Sequence, residues 1–125
     1  MTITKLVYCV AKLPEMSIDD FRAYWLNRHG PLVRSLWEEG TFPGMLRYVQ
    51  SHTIYEADGG RTARGSKEPY DGITEVWMDS ELGATVDSAR VASAEGGRRL
   101  LQDESNFIDF ANSSVFVTIE HTIFE

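Results

Sequence analysis

Two histidines, His29 and His52, are the side chains of this chain best suited to transfer a proton near neutral pH. His29 lies four residues after Trp25 and three before Leu32, within an apolar stripe of the first predicted helix. Residues at that spacing share one helix face, and this face must pack on a sheet. We therefore expect His29 to point inward, either as a hydrogen-bonded core residue or as an acid–base group.

The second predicted strand, "GMLRYVQSHTI", adds three polar side chains to the same interior. Tyr48, Gln50 and His52 share one face because side chains alternate along a strand. Buried polar groups cost about 1–3 kcal/mol each unless they are paired, so such a face indicates either a paired cluster or a wet pocket. On the third predicted strand we expect Glu75 to lie beside Gln50, although a register slip of one residue would move it to the opposite side.

Several other chemistries are not supported by the sequence motifs. Nucleotide-binding GxxxxGK[ST] and GxGxxG patterns do not occur, and neither does a serine nucleophile elbow. The three histidines lie on separate predicted elements and Cys9 is single, so no zinc-ligand spacing is present. We expect neither a metal nor another cofactor. Imidazole, phenol and carboxylate groups in an apolar pocket suit proton transfer beside a carbonyl, or on a phenolic or lactone ring.

Composition and charge limit the class of protein and its partners. The 125 residues, 42% hydrophobic and 25% charged, predict a single soluble globular domain over residues 1–125. The formal net charge of −7 disfavours nucleic acid and anionic membranes as partners. No segment approaches the roughly 20 apolar residues of a membrane span, and no secretory signal opens the sequence. A cytoplasmic location is therefore expected.

Hydrophobic periodicity predicts the element order β-α-β-β-α-β. Strands are expected over residues 5–13, 44–54, 71–79 and 113–123. The first helix should begin after an N-cap at Ser17 and end near His29, with Gly30 at its C′ position, and a second short piece should end at Gly40. The last main helix should span about residues 81–95, capped by Ser80 and ended by Gly96 and Gly97. A polar loop is expected over residues 55–70, and a short helix and turn over residues 98–110.

This order predicts an α+β, ferredoxin-like βαββαβ fold, in which two main helices cover one face of a four-stranded antiparallel sheet. The opposite face would then be exposed to water. However, the segments "LVYCVA" and "VFVTI" are apolar at both odd and even positions, so both sheet faces favour burial. We therefore expect a homodimer formed through the sheet faces.

Four segments together resemble the EthD domain in order and spacing: "FRAYWLNRHGPLVRSL", "GMLRYVQSHTI", "YDGITEVWMDS" and "LLQDESNFIDF". The similarity covers roughly residues 5–120 and implies the dimeric α+β barrel fold. Fungal relatives look like cofactor-free decarboxylases or dehydratases of aromatic polyketide pathways. Similar barrels include lactone isomerases, polyketide cyclases and cofactor-free monooxygenases. The resemblance does not place the glycine-rich loop over residues 56–68.

The resemblance assigns family positions to particular residues. His29 matches the HGP histidine, His52 the histidine that ends the second strand, and Tyr48 the tyrosine of the RY pair. The leading hypothesis is a cofactor-independent lyase or isomerase in which His52 is the general base, His29 the partner acid or oxyanion donor, and Tyr48 steadies an enolate. The expected substrate-binding residues are Gln50, Glu75, Trp77, Phe107 and Asp109.

Two alternatives remain open from the sequence. The protein could instead bind a small ligand without reaction, as an accessory protein of a catabolic gene cluster. It could also be a cofactor-free monooxygenase, in which the substrate anion itself reacts with oxygen and oxygen is consumed.

Overall fold

A computed structural model describes residues 2–79, 81 and 87–125 of the chain. Its strands are β1 (Ile3–Val10), β2 (Met45–His52), β3 (Gly72–Asp79) and β4 (Ser114–Thr118). Its α-helices are α1 (Ile18–Tyr24), α2 (Gly30–Glu38), α3 (Gly59–Arg64) and α4 (Asp87–Glu104). A π-helical turn, Trp25–His29, joins α1 to α2, and a 3₁₀ turn, Phe110–Asn112, precedes β4.

The four strands form one antiparallel sheet with the order β2-β3-β1-β4. Val76 of β3 is paired with Leu6 on one side and with Tyr48 on the other. These three side chains therefore lie on one face, which the helices cover. The α+β ferredoxin-like fold predicted from the sequence is confirmed.

Aromatic side chains form the core between the helices and the sheet. Phe21, Trp25 and Phe107 are almost fully buried and pack with Val10 and Ile108. The ring centroid of Phe21 lies 5.4 Å from that of Trp25 and 5.8 Å from that of Phe107. This cluster fixes α1 and the segment after α4 against β1. It thereby positions the π-helical turn that follows α1 and the 3₁₀ turn that precedes β4.

The first helical segment is continuous where a break was expected. Ser17 caps α1 as predicted, with its Oγ accepting from the Asp20 N–H at 3.0 Å. Gly30, however, is helical (φ −55°), so the prediction that it ends the helix is wrong. In the π-helical turn the Gly30 N–H donates to the Trp25 carbonyl, and Pro31 follows in the first turn of α2. The proline therefore begins α2 without interrupting the chain's helical path.

Gly96 lies inside α4 and does not end it, contrary to the prediction. A Cβ at Gly96 would lie 2.4 Å from Thr41 Cγ2 and 2.7 Å from Phe42 Cζ. Close packing against the segment after α2 therefore explains this glycine, and α4 continues to Glu104. The predicted cap at Ser80 and the residues 82–86 lie outside the described residues.

Other boundaries also differ from the predicted ones. The loop expected over residues 55–70 contains α3, which ends at Gly65 in the left-handed conformation (φ 59°). β4 ends at Thr118, five residues before the predicted end. None of the described helices has the length and apolar character needed to cross a membrane.

Candidate active site

A cavity of about 510 Å³ lies between the helices and the inner face of the sheet. Much of its wall is apolar and includes Leu6, Val33 and Val76. A volume of this size fits a small organic ligand. The polar side chains on the wall come from both layers: Tyr8, His29, Tyr48, Thr74, Glu104 and Ser113.

His29 is buried at this wall, with 5% of its surface exposed. Its Nδ1 lies 2.7 Å from Oδ2 of Asp103, and its ring packs on Phe107 at 5.1 Å. Because a carboxylate only accepts hydrogen bonds, Nδ1 carries the proton, and Nε2 is left with a free lone pair in the neutral ring. Burial lowers the pKa of His29, although Asp103 acts in the opposite direction, so the ring is neutral at pH 7.

Asp103 is itself held by a second hydrogen bond. The Tyr24 hydroxyl donates to Oδ1 of Asp103 at 2.6 Å, and Asn106 Nδ2 donates to the Tyr24 oxygen at 3.1 Å. Burial alone would raise the pKa of Asp103, but the hydrogen bonds from Tyr24 and His29 bring it below its ordinary value. Asp103 is therefore ionised at neutral pH and orients the imidazole.

Tyr48, Gln50 and His52 form a hydrogen-bonded row on β2. Gln50 Nε2 donates to the Trp25 carbonyl at 2.8 Å and to the Tyr48 oxygen at 3.1 Å, and its Oε1 lies 2.9 Å from His52 Nε2. His52 is therefore the donor in that last bond. Burial raises the pKa of Tyr48, which keeps the phenol protonated. Its oxygen accepts from Gln50, and hydrogen bonds with Trp25 and Thr74 also act on this phenol.

Glu104 is the carboxyl group on the cavity wall. Burial raises its pKa to about 7, the charge of Asp103 acts in the same direction, and a hydrogen bond with Tyr8 opposes the shift. Burial, together with Glu104, also raises the pKa of the Tyr8 phenol. Glu104 is thus an acid that exchanges its proton near neutral pH, beside a phenol that keeps its own.

The raised pKa of Glu104 predicts a pH-dependent contribution to stability. Between pH 4.5 and pH 7 the folded state retains a proton that the unfolded state loses. The stabilisation is therefore fully present below pH 4.5 and is lost as the pH rises through 7. We expect the free energy of unfolding of the wild type, minus that of Glu104→Gln, to fall by about 3 kcal/mol over this interval.

Chemical denaturation of both proteins across that pH range measures this difference. His29 titrates in both proteins, so its opposite effect on stability cancels in the subtraction. A difference that stays constant with pH would show that Glu104 titrates at its ordinary value.

His52 lies outside the cavity wall, so the two imidazoles do not open into one space as expected. Its ring stacks on the Trp25 indole at a centroid distance of 4.4 Å and an interplanar angle of 15°. The position paired with His52 on β3 is Gly72, where a Cβ would lie 2.5 Å from Trp25 Cζ3. The indole therefore occupies the space above this end of the sheet, and it covers the face of His52.

Glu75 and Trp77 lie on the sheet face opposite to the cavity. Glu75 is paired with Val49, and Gln50 is paired with Thr74. The prediction that Glu75 lies beside Gln50 is therefore wrong, because the register differs by one residue. The Glu75 carboxylate accepts from Lys5 Nζ at 2.8 Å, and the same ammonium lies 5.3 Å from the Trp77 ring centroid. Neither side chain lines the cavity.

Phe107 and Asp109 support the site without lining it. Phe107 is fully buried in the core and packs against His29, so it backs the imidazole and is not a cavity wall as expected. Asp109 Oδ2 accepts from Asn112 Nδ2 at 2.7 Å, and its backbone N–H donates to the Ala11 carbonyl at 2.9 Å. These contacts shape the turn before β4, and the expected substrate-binding role of Asp109 stays a prediction.

Sequence reasoning missed Tyr8, Asp103 and Glu104. Strand alternation places Tyr8 on the same face as Leu6 and could have identified it. Asp103 and Glu104 are adjacent on α4, where neighbouring side chains point about 100° apart. One can therefore contact His29 while the other borders the cavity. Among the residues that the structure describes, no group of three or more His, Cys, Asp or Glu side chains could hold a metal ion.

The fold and this site define a ferredoxin-like α+β domain with a mostly apolar cavity between its helices and its sheet. The chain belongs to the EthD family, since the EthD domain model matches residues 13–111. No curated protein matches the chain.

Solved structures of the same fold have low sequence identity to this chain. An EthD family protein from Bacillus halodurans is 16% identical with a TM-score of 0.61, over 96% of this chain and 100% of that one. An EthD-like protein from Ralstonia eutropha is 15% identical with a TM-score of 0.57, over 98% of this chain and 94% of that one. A Bacteroides fragilis protein is 7% identical with a TM-score of 0.52, over 92% of this chain and 93% of that one. It is described as dimeric, of unknown function and with a ferredoxin-like fold.

Proposed function

We propose that this protein is a cofactor-independent lyase or isomerase that acts on a small carbonyl-bearing or phenolic ring compound. The observation that carries the proposal is the His29 imidazole, held at 2.7 Å by Asp103 on the wall of a mostly apolar cavity. A buried, oriented and neutral imidazole is suited to act as a general base. The base is therefore His29, and the role first expected for His52 moves to it.

The proposed chemical step is removal of a proton from a carbon next to a carbonyl. Nε2 of His29 takes the proton, and the electron pair of the broken C–H bond moves toward the carbonyl oxygen. Tyr48 donates its hydroxyl proton in a hydrogen bond to that oxygen and stabilises the developing enolate. Gln50 holds the Tyr48 oxygen through a hydrogen bond, and His52 in turn donates to the Gln50 side-chain oxygen.

A ligand screen followed by an isotope experiment tests this function. Phenols, aromatic ketones and aromatic lactones are screened by thermal shift, and those that bind are incubated with the protein in D₂O. We expect exchange of the acidic C–H, or product formation, without oxygen uptake. Tight binding with neither exchange nor product would instead indicate an accessory binding protein, and oxygen uptake would indicate a monooxygenase.

We also propose that the protein is a homodimer formed through the sheet faces. The face opposite to the cavity carries Val7, Val49, Ile73 and Phe116, and no described helix covers it. Phe116 is 47% exposed on the edge strand β4. The Bacteroides fragilis protein of the same fold is described as dimeric, which supports a second copy as the occupant of this face.

The dimer predicts a specific effect of charge on this face. Phe116→Asp should shift the protein from dimer to monomer in light scattering at micromolar concentration, because a carboxylate would be buried without a partner. Phe124→Asp is the matched control, since Phe124 is 88% exposed, and it should leave the mass unchanged. A monomeric wild-type protein of 14.1 kDa would contradict the dimer.

A further inference from the structure

Glu104 lines the cavity, but the proton-abstraction step proposed above assigns it no role. It lies on α4 directly after Asp103, the residue that orients His29. Its carboxyl group borders the same cavity as His29 and the phenols of Tyr8 and Tyr48. The site therefore contains a second proton-exchanging group besides the base.

The cavity wall is also unusual in its charge. None of the described side chains on the wall is lysine or arginine. The nearest permanent charge behind His29 is the carboxylate of Asp103, which is negative. An anionic ligand would therefore find no lysine or arginine on this wall to pair with, whereas an uncharged carbonyl group needs only a hydrogen-bond donor.

We propose that Glu104 is the acid of this site and that the substrate is an uncharged carbonyl compound, which favours isomerisation or dehydration over decarboxylation. The inference rests on the proposed function for the role of His29. His29 takes the proton from carbon, and the C–H electron pair forms the C=C bond of the enol. The Glu104 carboxyl group gives its proton to the carbonyl oxygen. The imidazolium then loses its proton and the carboxylate regains one through solvent, so no oxidant or reductant is needed.

The groups that face Glu104 are consistent with a proton donor. Tyr8 approaches it from β1, Tyr48 from β2, and Asp103 from its own helix. Both phenols stay protonated and Asp103 stays ionised over the neutral range. Burial raises the pKa of Glu104 to about 7. Glu104 is thus the group among these four that changes its protonation state near pH 7.

The first test measures the affinity for 1-tetralone, a ketone that can only accept hydrogen bonds, by quenching of tryptophan fluorescence. Wild-type affinity should fall about tenfold between about pH 5.5 and about pH 8.5, as expected for the loss of one hydrogen bond. In Glu104→Gln the amide still donates, so the affinity should stay constant. A flat wild-type profile, or an equal fall in both proteins, would overturn the assignment.

The second test addresses ligand charge. At about pH 7, where His29 is neutral, 1-tetralone should bind at least tenfold more tightly than 1-naphthoate, an anion of similar size. Equal binding, or preference for 1-naphthoate, would contradict an uncharged substrate.

A third readout needs no ligand. An infrared difference spectrum of wild type minus Glu104→Gln should show the carbonyl band of a protonated carboxylic acid, and this band should disappear as the pH rises through 7. If Glu104→Gln does not fold, the same titration on the wild type alone provides this readout. Absence of the band below pH 7 would overturn the proposal.

The proposed function can fail independently of this inference. In D₂O, wild-type protein should exchange the α-protons of 1-tetralone, and His29→Gln should abolish that exchange while retaining the pH-dependent ketone affinity. If His29→Gln still exchanges the α-protons, His29 is not the base, but the pH-dependent affinity would still support Glu104 as the acid. If the affinity of the wild type does not depend on pH, Glu104 is not the acid, but loss of exchange in His29→Gln would still support His29 as the base.

Discussion

His29→Ala should lower kcat/KM for a turned-over substrate by about 10²–10⁴-fold, the contribution of one well-placed general base. We expect this effect because His29 lies on the cavity wall and Asp103 holds Nδ1, which leaves the Nε2 lone pair as the proton acceptor. Steady-state kinetics on a compound found by the ligand screen measures this loss. Circular dichroism and the thermal midpoint should show that the variant remains folded.

His52→Ala is the matched control for this prediction. His52 donates to Gln50, which in turn contacts Tyr48, so its removal weakens the position of the phenol and not the base itself. We expect a loss of at most about tenfold, equivalent to one hydrogen bond. A larger loss in His52→Ala than in His29→Ala would reverse the roles assigned to the two histidines.

Phe107→Ala should lower the free energy of unfolding by about 3–5 kcal/mol, the usual cost of truncating a buried phenylalanine. Phe107 is fully buried and its ring contacts those of Phe21, Tyr24 and His29. The resulting cavity would remove support from α1 and from the π-helical turn, two of the elements that build the site. Chemical denaturation at a fixed pH measures the loss.

Phe124→Ala supplies the control for the stability measurement. The same atoms are removed from a side chain that is 88% exposed, and surface substitutions usually change stability by less than about 0.5 kcal/mol. A loss below about 1 kcal/mol in Phe107→Ala would contradict the central place of this ring in the core.

Periodicity predicted well the faces that local sequence determines. The stripe containing Trp25 and His29 faces the interior, and Tyr48, Gln50 and His52 share the inner face of β2. Each of these predictions depends only on the repeat of a helix or a strand. Such repeats are visible in a single short segment of sequence, so the elements and their buried sides could be predicted.

The errors occurred where a residue's role depends on a distant partner. Gly30 and Gly96 carry the local signal of a helix end. Gly30 nevertheless continues the helical path from the π-helical turn, and the contact of Gly96 with the segment after α2 explains that glycine. Glu75 was misplaced because the register of β2 on β3 includes an irregularity between Met45 and Arg47. A strand's own sequence does not reveal its register with its neighbour.

Asp103 could not be assigned for the same reason. Its partner His29 lies 74 residues away in the sequence, and only the packing of α4 on the π-helical turn brings the two together. Glu104 likewise acquires its raised pKa from burial in the assembled cavity. The chemistry of this site thus depends on tertiary contacts that neither segment shows alone.

Nitrogen-15 NMR of the histidine rings tests most directly whether His29 is a neutral, oriented base. We expect His29 to carry its proton on Nδ1 at pH 7, to titrate below pH 6.5, and to change its Nε2 shift when a ketone enters the cavity. A ring that is already protonated at pH 7, or that carries its proton on Nε2, would contradict this expectation.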